Sequence, residues 1–223
     1  MKKICVFDVN ETLLDLSVLD PEFERVFGNA TVRREWFSQF IQSALVATVT
    51  NAYRPFGEIG SAALDMIAAR HQVDLSDADR RAILGKIVAL PAHPEVAENL
   101  ARLKENGHTL AALTNSTQAV AQHQLENAGI AQYFDKILSA DAVKRLKPAK
   151  EAYEMAAEAF GIDTKSIRLI AAHAWDIAGA LRAGCSAAFI ARPGMVLDPL
   201  VESPQIVGKD LREVVDVIIA HDR

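Results

Sequence analysis

The sequence has few cysteines and no long apolar run, so it lacks the disulfide framework of many secreted proteins and the spanning segments of membrane proteins. It contains two cysteines, Cys5 and Cys185, which lie in the apolar stretches ICVF and AGCSAAF without the spacing of a metal site. We therefore expect reduced thiols that pack like small apolar side chains. No apolar run approaches the roughly 18 residues of a membrane span. Asp8 interrupts the first apolar run too early for a signal peptide. These absences predict a cytoplasmic protein with no membrane segment.

An excess of positive charge is also missing. With 24 Lys+Arg against 29 Asp+Glu, the formal net charge is 24 − 29 = −5 at pH 7, and the basic residues are scattered. Proteins that bind nucleic acid generally present a basic surface that neutralises phosphates, so no nucleic-acid partner is expected. An anionic ligand would have to be held by a local site that works against the mean charge of the protein.

Short apolar, β-favouring runs alternate with helical patterns along most of the chain. The runs lie at residues 2–7, 109–113, 167–170 and 187–190, and each ends in polar residues. The helical patterns lie at residues 96–104, 118–128, 150–160 and 176–183. This alternation is typical of right-handed βαβ units, which build a parallel sheet with helices on its faces. Ligands bind beyond the carboxyl ends of such strands, so the polar tips are expected to meet.

The segment from residue 16 to residue 90 has a different pattern, because it contains no strand-like run. Its helical patterns lie at residues 20–27, 31–48, 56–70 and 77–88, and two prolines, Pro91 and Pro94, mark its end. We expect residues 1–15 and 91–223 to form an α/β core domain. Residues 16–90 are expected to form an inserted helical cap domain.

Several strand tips carry side chains that are suited to chemistry. Asp8 follows the first strand and is a candidate nucleophile, because a strand-end loop holds a carboxylate rigidly and leaves it open to a ligand. An aspartate at such a place is, taken alone, more often a turn former or a helix cap. The other tips supply Thr114 with Asn115, then Lys147, and then Asp176. A hydroxyl, an amide, a cation and a second carboxylate at successive tips favour a catalytic site.

These motifs resemble those of a known family. FDVNETLLD, LTNST, RLKPAKEAY and AAHAWDIAGALRAG are similar, in this order, to the four motifs of the haloacid dehalogenase superfamily, and most closely to its L-2-haloacid dehalogenase branch. Trp36 and the NAYRPF stretch at residues 51–56 resemble the cap of that branch. The resemblance implies a Rossmann-like α/β core with a parallel sheet, helices on both faces, an inserted helical cap and an aspartate nucleophile.

Two positions separate the chemistries of this superfamily. Its phosphatases carry a second aspartate two residues after the nucleophile, where this chain has Asn10. They also carry an acidic Mg²⁺ ligand four residues before the final motif aspartate, where this chain has Ala172. Because Mg²⁺ prefers several carboxylate oxygens, the resemblance implies an enzyme with no metal site and no cofactor. A phosphate-monoester hydrolase with an atypical Mg²⁺ site remains an alternative.

The implied reaction is hydrolytic cleavage of the carbon–halogen bond of a short 2-haloalkanoic acid. Asp8, kept ionised by Lys147, attacks C2, expels halide and forms an aspartyl ester; water then hydrolyses this ester to a 2-hydroxy acid.

Thr12 is implied as a hydrogen-bond partner of Asp8. Asp176 is expected to cap its helix and to orient Lys147 or a water. The partners expected are a small anionic substrate and, as is usual in the family, a second copy of the chain in a homodimer.

The substrate carboxylate is expected to meet polar groups at three places, namely the Thr114 hydroxyl, the helix N-terminus after Asn115, and the nucleophile loop at Val9, Asn10 and Glu11. Asn115 is equally well explained as a helix cap, and both roles are compatible. Tyr153 lies where the family places a tyrosine near the nucleophile, and a core aromatic with a buried hydroxyl is its other interpretation.

Two departures from the family pattern affect the chemistry. Phe37 stands directly after Trp36, where the family has an arginine that receives the halide. A departing halide needs hydrogen-bond donors or positive charge, and the candidates are Arg34, Arg54, the Trp36 indole and Asn115.

The second departure is in the last motif, where Ala171, Ala172 and His173 replace a serine pair followed by asparagine. His173 is a candidate general base, because its ordinary pKa is near neutrality; a histidine packed at a strand end explains it nearly as well. These departures leave a third hypothesis, a non-catalytic member that binds a small carboxylate or a protein partner.

Overall fold

The structure is a computed structural model that describes residues 3–222. Its strands form one sheet in the order β3-β2-β1-β4-β5-β6, and all neighbouring strands are parallel. The strands are β1 (Ile4–Phe7), β2 (Leu110–Thr114), β3 (Lys136–Ser139), β4 (Ile167–Ala171), β5 (Ser186–Ile190) and β6 (Ile206–Gly208). The predicted parallel α/β sheet is therefore confirmed.

Helices occupy most of the chain between the strands. The α-helices are α1 (Asp20–Phe27), α2 (Val32–Val49), α3 (Phe56–Arg70), α4 (Asp77–Gly85), α5 (Val96–Glu105), α6 (Gln118–Asn127), α7 (Lys150–Glu158), α8 (Ala174–Arg182) and α9 (Leu211–His221). Residues 16–90 contain helices and no strand, as the sequence predicts. Within residues 3–222, every helix is too short or too polar to cross a membrane.

Helices cover both faces of the sheet, because successive strand residues point to opposite faces. In β1, Cys5 and Phe7 belong to one buried cluster and Val6 to the other. The first cluster includes side chains of α5, α6, α9 and the helices of residues 16–90; the second includes side chains of α7 and α8. The central strands β2, β4 and β5 are buried along their whole length, which explains their continuous apolar runs.

The sequence does not predict three of the elements found in the structure. The edge strands β3 and β6 and the helix α9 lie in segments for which no element is predicted. β3 (KILS) has only one fully buried residue and β6 has three residues in all, so neither carries the apolar run by which buried strands are recognised. Residue 2 of the first predicted strand lies outside the described residues.

The sheet order places the ends of two strands side by side. From β1 the chain adds β2 and β3 on one side of the sheet and then β4, β5 and β6 on the other. The switch point therefore lies between β1 and β4, and parallel sheets of this kind leave a crevice for ligands at such a point. The backbone N–H of Asp8 donates to Ile170 O at 3.0 Å. The residues that follow β1 and β4 are therefore neighbours, and these include Asp8 and His173.

Two predicted helix caps are wrong. α8 begins at Ala174 with His173 as its N-cap residue, so Asp176 lies in the first turn. α6 begins at Gln118 with Thr117 as its N-cap residue, so Asn115 lies before the cap. Because neither side chain is used in capping, both are available to the strand-end crevice.

We predict that Gly179→Ala is destabilising. A Cβ at this position of α8 would lie 2.5 Å from Tyr153 Oη and 2.5 Å from Pro148 Cβ. Overpacking of this kind costs about 1–3 kcal/mol, which urea unfolding measures. The control is Gly57→Ala in α3, where a Cβ would meet nothing within 4 Å and a gain of up to about 1 kcal/mol is expected. Equal stability of wild type and Gly179→Ala would contradict this account of the packing.

Candidate active site

Asp8 lies at the centre of the strand-end crevice, immediately after β1. It is 5% exposed. Its Oδ1 accepts a hydrogen bond from Lys147 Nζ at 2.9 Å, and its Oδ2 accepts one from Thr12 Oγ1 at 2.6 Å. Burial alone would raise the pKa of Asp8, but Lys147 and His173 outweigh burial and hold this pKa well below its usual range. The carboxylate is therefore ionised, and Thr12 lies beside it as expected.

Lys147 connects two carboxylates. Its Nζ donates to Asp8 Oδ1 at 2.9 Å, to Asp176 Oδ2 at 2.6 Å and to Leu113 O at 2.9 Å, which uses all three ammonium hydrogens. Burial lowers the pKa of Lys147, but the two carboxylates outweigh it and the pKa is raised overall. Asn115 fixes the Lys147 main chain, because Asn115 Oδ1 accepts from Lys147 N at 2.7 Å and its Nδ2 donates to Lys147 O at 3.3 Å.

Asp176 is fully buried and is held from both sides. Its Oδ1 accepts from the Tyr153 hydroxyl at 2.5 Å, and its Oδ2 accepts from Lys147. Burial raises the pKa of Asp176 and, more strongly, that of Tyr153. Tyr153 therefore contacts Asp176, which Lys147 in turn connects to Asp8.

His173 follows β4 and bridges two carboxylates of the nucleophile loop. Its Nδ1 lies 3.0 Å from Asp8 Oδ2 and its Nε2 lies 3.0 Å from Glu11 Oε2. An ionised carboxylate only accepts hydrogen bonds, so both ring nitrogens carry hydrogen and the ring is an imidazolium. Burial lowers the pKa of His173, but the hydrogen bonds to Asp8 and Glu11 raise it to about 10. A ring that donates from both nitrogens has no lone pair for the general-base role predicted from the sequence.

Sequence reasoning assigned a backbone role to the loop that contains Glu11, but no role to the Glu11 side chain, which is a member of the site. Its backbone has φ 60, in the left-handed region that costs an L-residue roughly 1–2 kcal/mol. Its carboxylate accepts from His173 through Oε2 and pairs with Arg33 of α2 through Oε1, with an Nη1–Oε1 distance of 3.3 Å. Arg33 in turn donates to Asp20 of α1. The only signal in the sequence is an acidic residue inside the nucleophile loop.

The residues expected to hold the substrate carboxylate lie at the carboxyl ends of β1 and β2. Asn10 and Thr114 are 8% and 2% exposed. Asn10 Oδ1 accepts from Gln124 Nε2 at 3.0 Å, and Thr114 Oγ1 accepts from the backbone N–H of Ser116 at 3.2 Å. Val9 is fully buried, and its carbonyl accepts from the backbone of the turn that follows. These contacts shape the loops, and within residues 3–222 the Thr114 hydroxyl hydrogen has no hydrogen-bond acceptor.

The Trp36 indole N–H is engaged elsewhere than in the crevice. It donates to Gly60 O at 3.0 Å and so holds α2 against α3. Arg34 and Arg54, the other candidates for receiving a halide, have exposed side chains. Asn115 already uses one amide hydrogen on Lys147. Of these four groups, only Arg34 lines the groove that also reaches Glu11 and His173.

Phe37 lies between two cavities. Its ring centroid is 5.9 Å from that of His173. One cavity, of about 190 Å³, is mainly apolar and is lined by residues that include Phe37, Phe40 and Phe56. The other, a groove of about 760 Å³, reaches Glu11 and His173. Both cavities lie where helices of residues 16–90 face the strand tips.

The donor set of the site is organised around cations of the chain itself. Within residues 3–222, no group of three or more His, Cys, Asp or Glu side chains is arranged to hold a metal ion. The carboxylates of Asp8 and Asp176 are instead joined by the ammonium of Lys147, and those of Asp8 and Glu11 are joined by the His173 ring.

Comparison with known proteins agrees with this geometry. A family model described as haloacid dehalogenase-like hydrolase matches residues 2–184. Haloacetate dehalogenase H-2 of Moraxella sp. (strain B) is 28% identical over 98% of this chain and 99% of its own length. (S)-2-haloacid dehalogenase of Pseudomonas sp. (strain YL) is 27% identical over 95% of this chain and 92% of its own length.

A solved structure shares the whole fold. L-2-haloacid dehalogenase from Xanthobacter autotrophicus, with chloropropionic acid covalently bound, superposes with a TM-score of 0.90 over 98% of both chains, at 21% identity. The family match covers most of the sequence and includes Asp8, Thr114, Lys147 and Asp176. The chain is therefore a member of the haloacid dehalogenase-like hydrolases.

Proposed function

We propose that this chain hydrolyses the carbon–halogen bond of short 2-haloalkanoic acids through an ester on Asp8. The observation that carries this proposal is the buried carboxylate of Asp8 in the strand-end crevice. Lys147 keeps it ionised, and among the described residues one lone pair of its Oδ1 has no hydrogen-bond donor. The names of the relatives, haloacetate dehalogenase and (S)-2-haloacid dehalogenase, support the same substrate class.

The hydrogen bonds identify the attacking oxygen. Asp8 Oδ2 accepts from both Thr12 and His173, so its two lone pairs are used. Asp8 Oδ1 accepts only from Lys147 among the described residues, so one lone pair remains free. Oδ1 attacks C2 of the substrate, and the bonding pair of the carbon–halogen bond leaves with the halide. The product of this step is an ester between Asp8 Oδ1 and C2.

The surroundings fit a small substrate with an acid group and an apolar chain. The carboxylate would meet Thr114 and the loop N–H groups near Asn10, while the cavity beside Phe37 accepts the chain. We propose that residues 16–90 act as a cap domain over a core of residues 1–15 and 91–223, and that this cap keeps bulk water from the reacting carbon. The homodimer implied by the resemblance stays a prediction.

The ester is resolved by water. Attack on Asp8 Cγ returns the carboxylate and releases a 2-hydroxy acid whose configuration at C2 was inverted in the first step. Lys147 stays charged throughout, because Asp176 remains its partner when Asp8 loses its charge in the ester.

A halide-release panel tests the reaction class. We expect wild type to release halide from chloro-, bromo- or fluoroacetate or from 2-chloropropionate, and Asp8→Asn to lose about 10³-fold or more in rate, as other enzymes do without their nucleophile. Asp163→Asn, which changes an exposed aspartate paired with Lys165, is the matched control. Activity that a chelator abolishes and Mg²⁺ restores would favour the phosphatase alternative. Wild type without halide release would favour a non-catalytic member.

Isotope labelling tests the covalent step. In a single turnover in heavy-oxygen water, the label should enter the Asp8 carboxylate, because water attacks Cγ and the product keeps the original Oδ1. Peptide mass spectrometry locates the label. Heavy oxygen in the first product molecules would show that water attacks C2 directly, which is incompatible with the ester.

Lys147→Met should impair both stability and activity. Without the ammonium, Asp176 would lose its cationic partner and Asp8 would keep only His173, at a cost of about 3–5 kcal/mol near neutral pH. The pKa of Asp8 would then rise, so the acid limb of activity should move to higher pH, and the variant should gain stability relative to wild type as pH falls.

Wild type behaves in the opposite sense. The lowered pKa of Asp8 contributes stability above the unfolded value of about 3.9, and this contribution is lost as pH falls through the folded value. Lys150→Met removes an exposed ammonium that pairs with Glu154 and should leave both profiles unchanged. Unfolding curves and pH–rate profiles measure these effects. An unshifted acid limb in Lys147→Met would contradict the role of Lys147.

A further inference from the structure

A chain of alternating charges runs from the nucleophile into the helices of residues 16–90. Its members are Asp8, His173, Glu11, Arg33 and Asp20, each in contact with the next. Asp8, His173 and Arg33 are each at most 6% exposed. Such a buried array is costly to assemble unless each charge meets its partner, which points to a use for the central ring.

We propose that His173 is a catalytic residue that donates a cationic hydrogen bond to the oxyanion formed on Asp8 during ester hydrolysis. Glu11 is its positioning residue, which keeps the ring charged and oriented while Asp8 is esterified. This inference rests on the proposed function, since it concerns the second step of that reaction.

The geometry of Asp8 Oδ2 carries the first part. When Oδ1 is bonded to substrate C2, Oδ2 is the carbonyl oxygen of the ester. Thr12 Oγ1 lies 2.6 Å and His173 Nδ1 lies 3.0 Å from it. The Thr12 hydroxyl has a fixed direction, because its oxygen accepts from the backbone N–H of Ala172 at 2.9 Å. Two donors aimed at a carbonyl oxygen on which charge develops form an oxyanion hole.

The bonds of this step balance as follows. The water oxygen bonds to Asp8 Cγ, and the carbonyl electron pair moves onto Oδ2 beside the imidazolium. The pair returns, and the Cγ–Oδ1 bond breaks. Oδ1 leaves with C2 as the hydroxyl of the 2-hydroxy acid and takes one proton of the water. The other proton passes to bulk water through the groove that reaches Glu11 and His173, and the water oxygen stays on Asp8.

The charges around the ring show why Glu11 is needed. Asp8 and Glu11 face its two nitrogens, and its faces meet the uncharged rings of Phe37 and Trp175, with centroids 5.9 and 5.1 Å away. The cations Lys147 and Arg33 lie one contact further out, on these carboxylates. Esterification removes the charge of Asp8. From then until hydrolysis, Glu11 is the one carboxylate in contact with the imidazolium among the described residues.

The backbone of Glu11 supports this role. At φ 60 the position suits glycine, yet it carries a glutamate whose two oxygens meet His173 and Arg33. Strain of this kind is retained where the surrounding structure uses the residue. The ring also supplies a second positive charge next to Phe37, where the family pattern has an arginine.

Trapping of the ester tests the proposal. Wild type, His173→Gln and Glu11→Gln are mixed with 2-chloropropionate, quenched at short times and weighed by intact-protein mass spectrometry. We expect turnover to fall about 10²-fold in His173→Gln, as on loss of an oxyanion donor, and about tenfold in Glu11→Gln. In both variants the ester on Asp8 should accumulate, and the rate of its formation should change less than about threefold.

The controls are His71→Gln and Glu35→Gln, which remove a second histidine–carboxylate pair, 2.9 Å apart, on the surface of α2 and α3. These variants should behave like wild type in both steps. Glu11→Gly tests whether misfolding causes the loss of activity on removal of the Glu11 carboxylate, because glycine adopts the observed φ without strain. It should fold, as circular dichroism reports, and still accumulate the ester.

The pKa of the His173 ring distinguishes the proposed role of Glu11 from a purely structural one, because a purely structural role would leave this pKa unchanged. In Glu11→Gln the loss of a negative charge disfavours the imidazolium, so the pKa of His173 measured by NMR in the ligand-free protein should fall by about 1–3 units. Ester hydrolysis in this variant should then slow as pH rises through neutrality, whereas in wild type it should not.

The outcomes separate two kinds of failure. If wild type turns over but His173→Gln or Glu11→Gly slows ester formation instead of hydrolysis, or hydrolyses the ester at the wild-type rate, the proposal for His173 and Glu11 is overturned alone. An unchanged ring titration in Glu11→Gln overturns the role of Glu11. If wild type forms no ester with any haloacid, the proposed function fails and this inference fails with it.

Discussion

The contact between the Lys147 ammonium and two buried carboxylates is the interaction on which the rest of the site depends. Burial penalises the charged form of Asp8, and Lys147 is the largest of the contacts that offset this penalty; a neutral carboxyl would be a poor nucleophile. The neighbours serve the same contact: Asn115 holds the main chain of Lys147, and Tyr153 occupies the second oxygen of Asp176. Four strand tips are thus arranged around one ammonium.

Charge balance explains how an acidic protein accommodates this site. Leaving aside Asp20, whose side chain is 38% exposed at the outer end of the array, three carboxylates face three cations. They are Asp8, Asp176 and Glu11 against Lys147, His173 and Arg33, so 3 − 3 gives a net charge of zero. With His173 counted as an imidazolium, the formal net charge of the chain is −5 + 1 = −4, and it is carried by the other residues. An anionic substrate therefore meets a locally neutral site whose cations lie close to the reacting atoms, where charge is screened less than at the surface.

The sequence predicts the strands and helices whose apolar residues form a recognisable pattern. The buried strands are readable because both faces are covered, and the parallel sheet then collects the tips that carry Asp8, Thr114, Lys147 and Asp176. Contacts between distant residues are not readable in this way. Glu11 and His173 are 162 positions apart, and no spacing rule relates them. The general-base hypothesis for His173 was drawn without these contacts, since the sequence shows a histidine but neither of the carboxylates on its nitrogens.

The carboxylate of Glu11 connects the helices of residues 16–90 with the ring beside the nucleophile. One of its oxygens pairs with Arg33 of α2, and the other accepts from the His173 ring. Through this one carboxylate, Arg33 of α2 is connected to the ring that contacts the nucleophile. The arginine of the family pattern would come from the helices of residues 16–90, whereas this imidazolium lies on the strand tip of β4, next to Asp8.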